Sequence, residues 1–299
     1  MLNSPLIISF LFMLTQFLFG ILANSIIVVV NGIGLVKWKR MPPLDLLLSC
    51  LALSRICLQG TILHFCLTVL SLTEVFRFSR NFVAYLFVSE SELWLATWLG
   101  VFYCAKIANI SHPFFFWLKM RITKLVPWLI LGSLFYASAT CVLHSNYQWI
   151  IAQNFSVTFV FKNTVAQMKE KFALQFFLLI VEVSIPLFIF LAAGLLLVFS
   201  LGRHTQQMRN RAAGAGDTHR YASVQAMLSI LSFLILYFSH FIAIALLTLE
   251  NFQYGSLNIL FFILMFGTYP SAHSIILILG NPKLKQNAKK FFLHSKCCQ

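Results

Sequence analysis

Apolar residues in this chain do not alternate with polar ones. They continue for roughly twenty to thirty positions at a time, which is the length a helix needs to cross a hydrocarbon layer about 30 Å thick. Seven stretches qualify, at about 6–36, 44–70, 82–108, 125–143, 172–201, 224–249 and 257–279. Transmembrane barrel strands alternate over about ten residues, so these continuous Leu-, Ile- and Phe-rich runs predict helices. No fixed-period repeat or low-complexity tract divides the chain, and residues 1–299 read as one domain. After the seventh run, Gly280-Asn281-Pro282 breaks the helix. Leu284, Ala288 and Phe291 then recur at helical spacing among Lys283, Lys285, Lys289 and Lys290. That pattern predicts a short basic amphipathic helix lying on a membrane surface.

Composition agrees with the pattern. Of 299 residues, 60% are hydrophobic and only 10% charged, with a mean hydropathy of +0.85. A soluble domain carries about a quarter charged residues, so eight acids and 22 bases are too few to coat a soluble surface. The net charge of +14 would suggest nucleic acid on a polar chain, but here its distribution matters more. The first inter-span loop holds Lys37, Lys39 and Arg40; the third, with its helix ends, Lys106, Lys119, Arg121 and Lys124; the fifth, Arg203, Arg209, Arg211 and Arg220. With Lys283, Lys285, Lys289, Lys290 and Lys296 of the tail, sixteen bases fall on one side and five on the other, while Arg55 lies inside the second span. The excess of bases marks the cytoplasmic side. The expectation is an all-α seven-transmembrane bundle with its N-terminus outside, no nucleic-acid partner and a location in the plasma membrane. The first run lacks preceding bases and exceeds the 7–15 apolar residues usual for a signal peptide, so it reads as an uncleaved anchor.

Asn154-Phe155-Ser156 is a glycosylation acceptor in the longest loop expected outside, between spans four and five. Five cysteines fall inside spans and Cys297 and Cys298 end the tail, so no extracellular disulfide is expected. The terminal pair is either palmitoylated beside the basic residues or inert.

Ionisable side chains inside hydrocarbon are costly, so each is a candidate functional residue. Glu90 and Glu92, two residues apart, point about 200° apart on a helix. One should line a cavity while the other faces a neighbouring helix. Arg55 lies roughly 15 Å up span two from its cytoplasmic end, and a pair with Glu92 would join spans two and three, since either charge alone would be strongly destabilising. Glu90 and Glu182 both lie about nine or ten residues below the outer ends of their spans, roughly 13–15 Å deep. With Tyr85, Leu86, Ser89, Gln175 and His240 they are candidates for a ligand cavity, apolar with a few convergent polar groups. The competing expectation is helix-to-helix hydrogen bonding without a ligand. Pro186 and Pro270 should kink spans five and seven. No nucleotide loop, HExxH, GxSxG or metal-spaced His/Cys cluster occurs, so neither an enzyme nor a cofactor or metal is expected. A receptor and a small-solute transporter remain, and an odd span count without inverted repeats argues against the transporter.

The stretch LWLATWLGVFYCAKIANISHPFFFWLKMRI at 93–122, HSIILILGNPKLKQ at 273–286, SIPL at 184–187, Asn24 and Arg55 together resemble the type 2, or bitter, taste receptor family over essentially the whole chain. The resemblance implies a G-protein-coupled receptor for bitter small molecules or peptides, signalling through a gustducin-type G protein to phospholipase C and calcium. By position, Tyr103 and Lys106 stand where rhodopsin-like receptors carry their acidic-arginine switch, and His273-Ser274 stands in for the asparagine-proline motif. Asn24, Arg55, Glu92, His273 and Ser274 are then expected as a structural polar network. Asn154 matches the family's glycosylation position. Tyr103, Lys106, Lys119, Arg121 and Arg203 would face the G protein or anionic lipid.

Overall fold

A computed structural model describes residues 4–70, 75–108, 112–158, 165–209, 228, 230–239, 242 and 257–297. The described residues form eight helices and no strand: α1 (Ser4–Trp38), α2 (Pro43–Leu70), α3 (Val75–Ile107), α4 (Pro113–Thr158), α5 (Val165–Arg209), α6 (Ile230–Ser239), α7 (Leu257–Gly280) and α8 (Pro282–Cys297). Among the described residues, four helical stretches are long and apolar enough to cross a membrane: Phe10–Lys37, Pro43–His64, Pro113–Ser145 and Ile180–Ser200. The stretch expected at 224–249 is described only in part, around α6.

The helices overrun the apolar stretches expected from sequence. α4 is 46 residues long and α5 is 45, so both continue past any hydrocarbon layer. Hydropathy marks where a helix meets lipid, whereas backbone hydrogen bonding continues until a breaker intervenes. Asn154, expected in a loop, therefore lies on the last turns of α4. Pro127 and Pro186 are accommodated inside α4 and α5 and Pro270 inside α7. α1 ends where Lys39 takes a left-handed backbone (φ 51°), just ahead of Pro42 and Pro43.

α3 is the central element and packs against α2, α4 and α5, while α1 packs on α7 and α2. The bundle has large apolar residues outside, and its apolar core encloses a set of buried polar side chains. Trp128, Phe135, Phe188 and Phe199 are exposed, whereas Asn24, Asn31, Arg55, Gln59 and Thr97 are buried. An apolar exterior with interhelical polar contacts suits a lipid surround, where packing and hydrogen bonds between helices take over from the hydrophobic effect. Phe233 of α6 joins three helices, its ring lying 4.5 Å from Phe190 of α5 and 5.8 and 5.2 Å from Tyr269 and His273 of α7. Gly100 lets the Phe190 ring lie directly on the α3 backbone, where a Cβ would come within 2.9 Å.

α8 is fixed at its start. Asn281 Oδ1 accepts from the backbone N–H of Lys283 at 3.0 Å, capping the helix. Lys283 Nζ reaches Asp45 Oδ2 at 2.5 Å and Asn31 Oδ1 at 3.3 Å, tying α8 to the starts of α2 and the end of α1. Leu284 and Ala288 are buried against the bundle, as the amphipathic pattern predicts.

Among the described glycines, Gly20 of α1 is the one most closely covered by neighbouring side chains. Gln59 Nε2 of α2 donates to Ser271 Oγ of α7 at 2.7 Å directly beneath it, and a methyl at residue 20 would overlap both groups. Gly20→Val should lower stability by about 1–3 kcal/mol through overpacking. Gly32→Ala, which meets open space, should be neutral or stabilising by up to about 1 kcal/mol. Thermal unfolding of the two purified variants checks this, and equal melting temperatures would contradict it.

Candidate functional site

Two polar assemblies occupy the interior. In the first, Arg55 of α2 is fully buried. Its Nε donates to Glu92 Oε1 of α3 at 2.7 Å, its Nη1 to Ser274 Oγ of α7 at 3.1 Å, and its Nη2 to Nδ1 of His273. A guanidinium has donors only, so His273 Nδ1 acts as an acceptor. The Ser274 hydroxyl donates in turn to Asn24 Oδ1 of α1 at 2.7 Å, and Asn24 Nδ2 donates to Gly20 O at 2.8 Å. The Tyr269 ring covers the guanidinium, its centroid 5.9 Å from Cζ. One arginine thereby links α2, α3 and α7, and through Ser274 also α1. The five residues expected as a structural network, Asn24, Arg55, Glu92, His273 and Ser274, lie together. Sequence spacing placed Arg55 opposite Glu92, but it did not indicate that Tyr269 would cover them.

The second assembly runs along α3 and α4. Trp98 Nε1 donates to Ser133 Oγ at 2.8 Å, Trp94 meets Tyr136 edge-on at 5.5 Å, and Thr140 Oγ1 donates to Glu90 Oε2 at 2.5 Å. One turn further, His144 Nε2 lies 2.9 Å from Glu182 Oε2 of α5. Glu90, Trp94 and Trp98 are spaced four apart on α3, and Ser133, Tyr136, Thr140 and His144 recur at helical spacing on α4, so the two stripes meet as a seam. Glu90 and Glu182 were expected either to line an outer-facing cavity or to hydrogen bond helix to helix; their carboxylates meet Thr140 and His144 of α4. The cause is geometric, because Glu92 takes the inward position opposite Arg55 and Glu90 must then point about 200° away.

Glu90 Oε1 and His144 Nδ1 are buried without a hydrogen-bond partner, and Glu90 interacts electrostatically with both His144 and Glu182. The assembly therefore has acceptor capacity left over. Tyr85 and Ser89 hydrogen bond to one another on the Glu92 side of α3, and Leu86 is half-buried beside them. Gln175 lies on α5, and His240 lies outside the described residues. His144 and Thr140 were missed from sequence, although the Ser133-Tyr136-Thr140-His144 spacing was available.

Two cavities lined by described residues are small. One, lined by Leu99, Gly100, Tyr103, Phe190, Phe233 and His273, holds about 10 Å³, the space of about one water. Among the described residues no cluster of three or more His, Cys, Asp or Glu side chains could hold a metal. Cys50, Cys57, Cys104 and Cys141 are free thiols. At the far end of the bundle, Lys106, Lys119, Arg121 and Arg203 are exposed and Tyr103 is half-buried.

Glu92→Gln removes the carboxylate that pairs with Arg55 among the described residues and leaves a guanidinium uncompensated. A loss of about 3–5 kcal/mol is expected, seen as retention inside the cell. Surface labelling measures it, and wild-type surface density for Glu92→Gln would contradict the network.

Comparison with known proteins identifies the family. The family model described as Taste receptor protein (TAS2R) matches residues 1–296. The chain is 58% identical over 299 residues to taste receptor type 2 member 1 of Gorilla gorilla gorilla, covering all of both chains. It is 48% identical over 298 residues to taste receptor type 2 member 119 of Rattus norvegicus, covering 100% of this chain and 88% of that one. To taste receptor type 2 member 3 of Gorilla gorilla gorilla it is 35% identical, covering 91% and 89%. The chain therefore belongs to the taste receptor protein (TAS2R) family, G-protein-coupled receptors of bitter taste that lie in the membrane and are not enzymes.

Proposed function

We propose that this chain is a plasma-membrane receptor for bitter small molecules or peptides that activates a gustducin-type heterotrimeric G protein, leading to phospholipase C and calcium release. The observation that carries this is the family match over 1–296. Residues 1–299 then form one seven-span domain with its N-terminus outside, a topology supported by the sixteen bases on one side. Asn154, beyond the apolar part of α4, would be glycosylated, and Cys297 and Cys298 are candidates for acylation beside the basic α8. The relatives do not favour a transporter.

The agonist site we infer is the outer half of the bundle, where Glu90 keeps a free carboxylate oxygen and Glu182 and His144 lie close by. Tyr85, Leu86, Ser89, Gln175 and His240 complete the candidate lining. An agonist with an ammonium or N–H donor would satisfy Glu90 Oε1 and so favour the conformation in which that oxygen is accessible. Coupling to the cytoplasmic end follows from population shift: α5 and α7 hinge at Pro186 and Pro270, α6 moves with Phe233, and a groove opens for the G protein. Tyr103, Lys106, Lys119 and Arg203 would border that groove.

A calcium assay with a bitter-compound panel, in cells carrying a gustducin-type chimera, should give agonist-dependent signals. Silence across the panel from receptor proven to be at the surface would overturn the function. In the same assay, Glu90→Ala should weaken cationic agonists about tenfold or more, the worth of a charge-assisted hydrogen bond. Unchanged potency for all of them would remove Glu90 from the site.

A further inference from the structure

We infer that the start of α4 carries a lateral binding site for an anionic phospholipid headgroup, built on Trp117, Arg121 and Lys124. This rests on the membrane location of the chain and not on its G-protein coupling.

α4 has two sharply different faces. Ile122, Val126, Ile130, Ser133 and Ala137 are buried, spaced three and four apart. Trp128 is 73% exposed and Phe135 78%, on the opposite side. At 100° per residue, Arg121 falls within about 20° of Trp128, Trp117 also within about 20°, and Lys124 within about 40°. All three are exposed. The basic residues therefore continue the same stripe that faces hydrocarbon higher up, with Arg121 roughly 10 Å along the helix from Trp128.

The apolar stretch Pro113–Ser145 has 33 residues, or about 50 Å of helix, against a hydrocarbon core of about 30 Å. Its ends must emerge, and the end carrying Trp117, Lys119, Arg121 and Lys124 does so among headgroups. There the Arg121 guanidinium lies 5.6 Å from the centroid of the Trp117 ring, and Phe114 stacks on the same ring at 6.1 Å. An aromatic at the interface with a cation held on it matches one wall of a headgroup site, apolar toward the chains and positive toward the phosphate. α4 contains no Asp or Glu, so nothing on it neutralises the three bases. A soluble partner approaches the bundle from its end; a lipid approaches from the side, and this stripe faces sideways.

The test uses the full-length receptor in nanodiscs of phosphatidylcholine with a fraction of phosphatidylserine. Lipids retained after release are counted by native mass spectrometry. Arg121→Gln with Lys124→Gln should lower the phosphatidylserine preference about fivefold per charge removed, as about 1 kcal/mol per base implies, with phosphatidylcholine retention unchanged. Trp117→Leu should lower it further while conserving net charge. Lys124→Gln alone, at an exposed position, serves if the double variant is not recovered. Undiminished phosphatidylserine retention in these variants overturns the site. So does undiminished retention joined to a loss of agonist-driven G-protein activation, which would assign the surface to the G protein.

Discussion

A full positive charge buried where neither water nor lipid headgroup reaches it must be matched on all sides, and Arg55 is that charge. Its desolvation would cost several kcal/mol or more if unpaired. Glu92, His273 and Ser274 each take one of its nitrogens, and Tyr269 covers the guanidinium face. Because these partners come from different helices, satisfying the arginine fixes the relative height and rotation of α2, α3 and α7. Ser274 extends the constraint to Asn24 and so to α1. In a bundle whose exterior is as apolar as its surround, little else would select one helix register from its neighbours.

The rotation of α3 imposed by Glu92 has consequences on the opposite face. It directs Glu90, Trp94 and Trp98 at α4, where Thr140, Tyr136 and Ser133 meet them. It also places Thr97 against α5, donating to Pro186 O at 3.2 Å. His273 belongs to the Arg55 network and also touches Phe233 of α6. The Arg55 network thus borders Pro270, whose carbonyl oxygen lies 2.8 Å from Ser274 Oγ, and α6 through Phe233, and a change in how Arg55 is satisfied would be felt at both.

Much of this was legible in the sequence because charge is so scarce. With eight acids in 299 residues, Arg55, Glu90, Glu92 and Glu182 stand out without any alignment, and the 200° separation of Glu90 from Glu92 already required different surroundings for the two. Which one faces the bundle centre depends on the rotation of α3, and that is set by a partner 37 residues away. Thr140 and His144 passed unnoticed because single polar residues in a span raise little signal, although their spacing on α4 matches that of Glu90 and Trp94 on α3. The Lys283–Asp45 contact joins residues 238 apart, and no local pattern announces it. Helix ends were misjudged for a separate reason: hydropathy reports the lipid boundary, and α4 and α5 continue beyond it.

The central claim is that Arg55 and Glu92 act as one unit in holding the bundle. A double-mutant cycle on thermal unfolding in nanodiscs, with Arg55→Gln, Glu92→Gln and the two combined, tests it most directly. If the pair is the constraint described here, the double variant should be markedly less destabilised than the sum of the single variants, with a coupling of about 1–3 kcal/mol. Additive losses, to within about 0.5 kcal/mol, would mean that the two charges stabilise the receptor independently and that the register of its helices is set elsewhere.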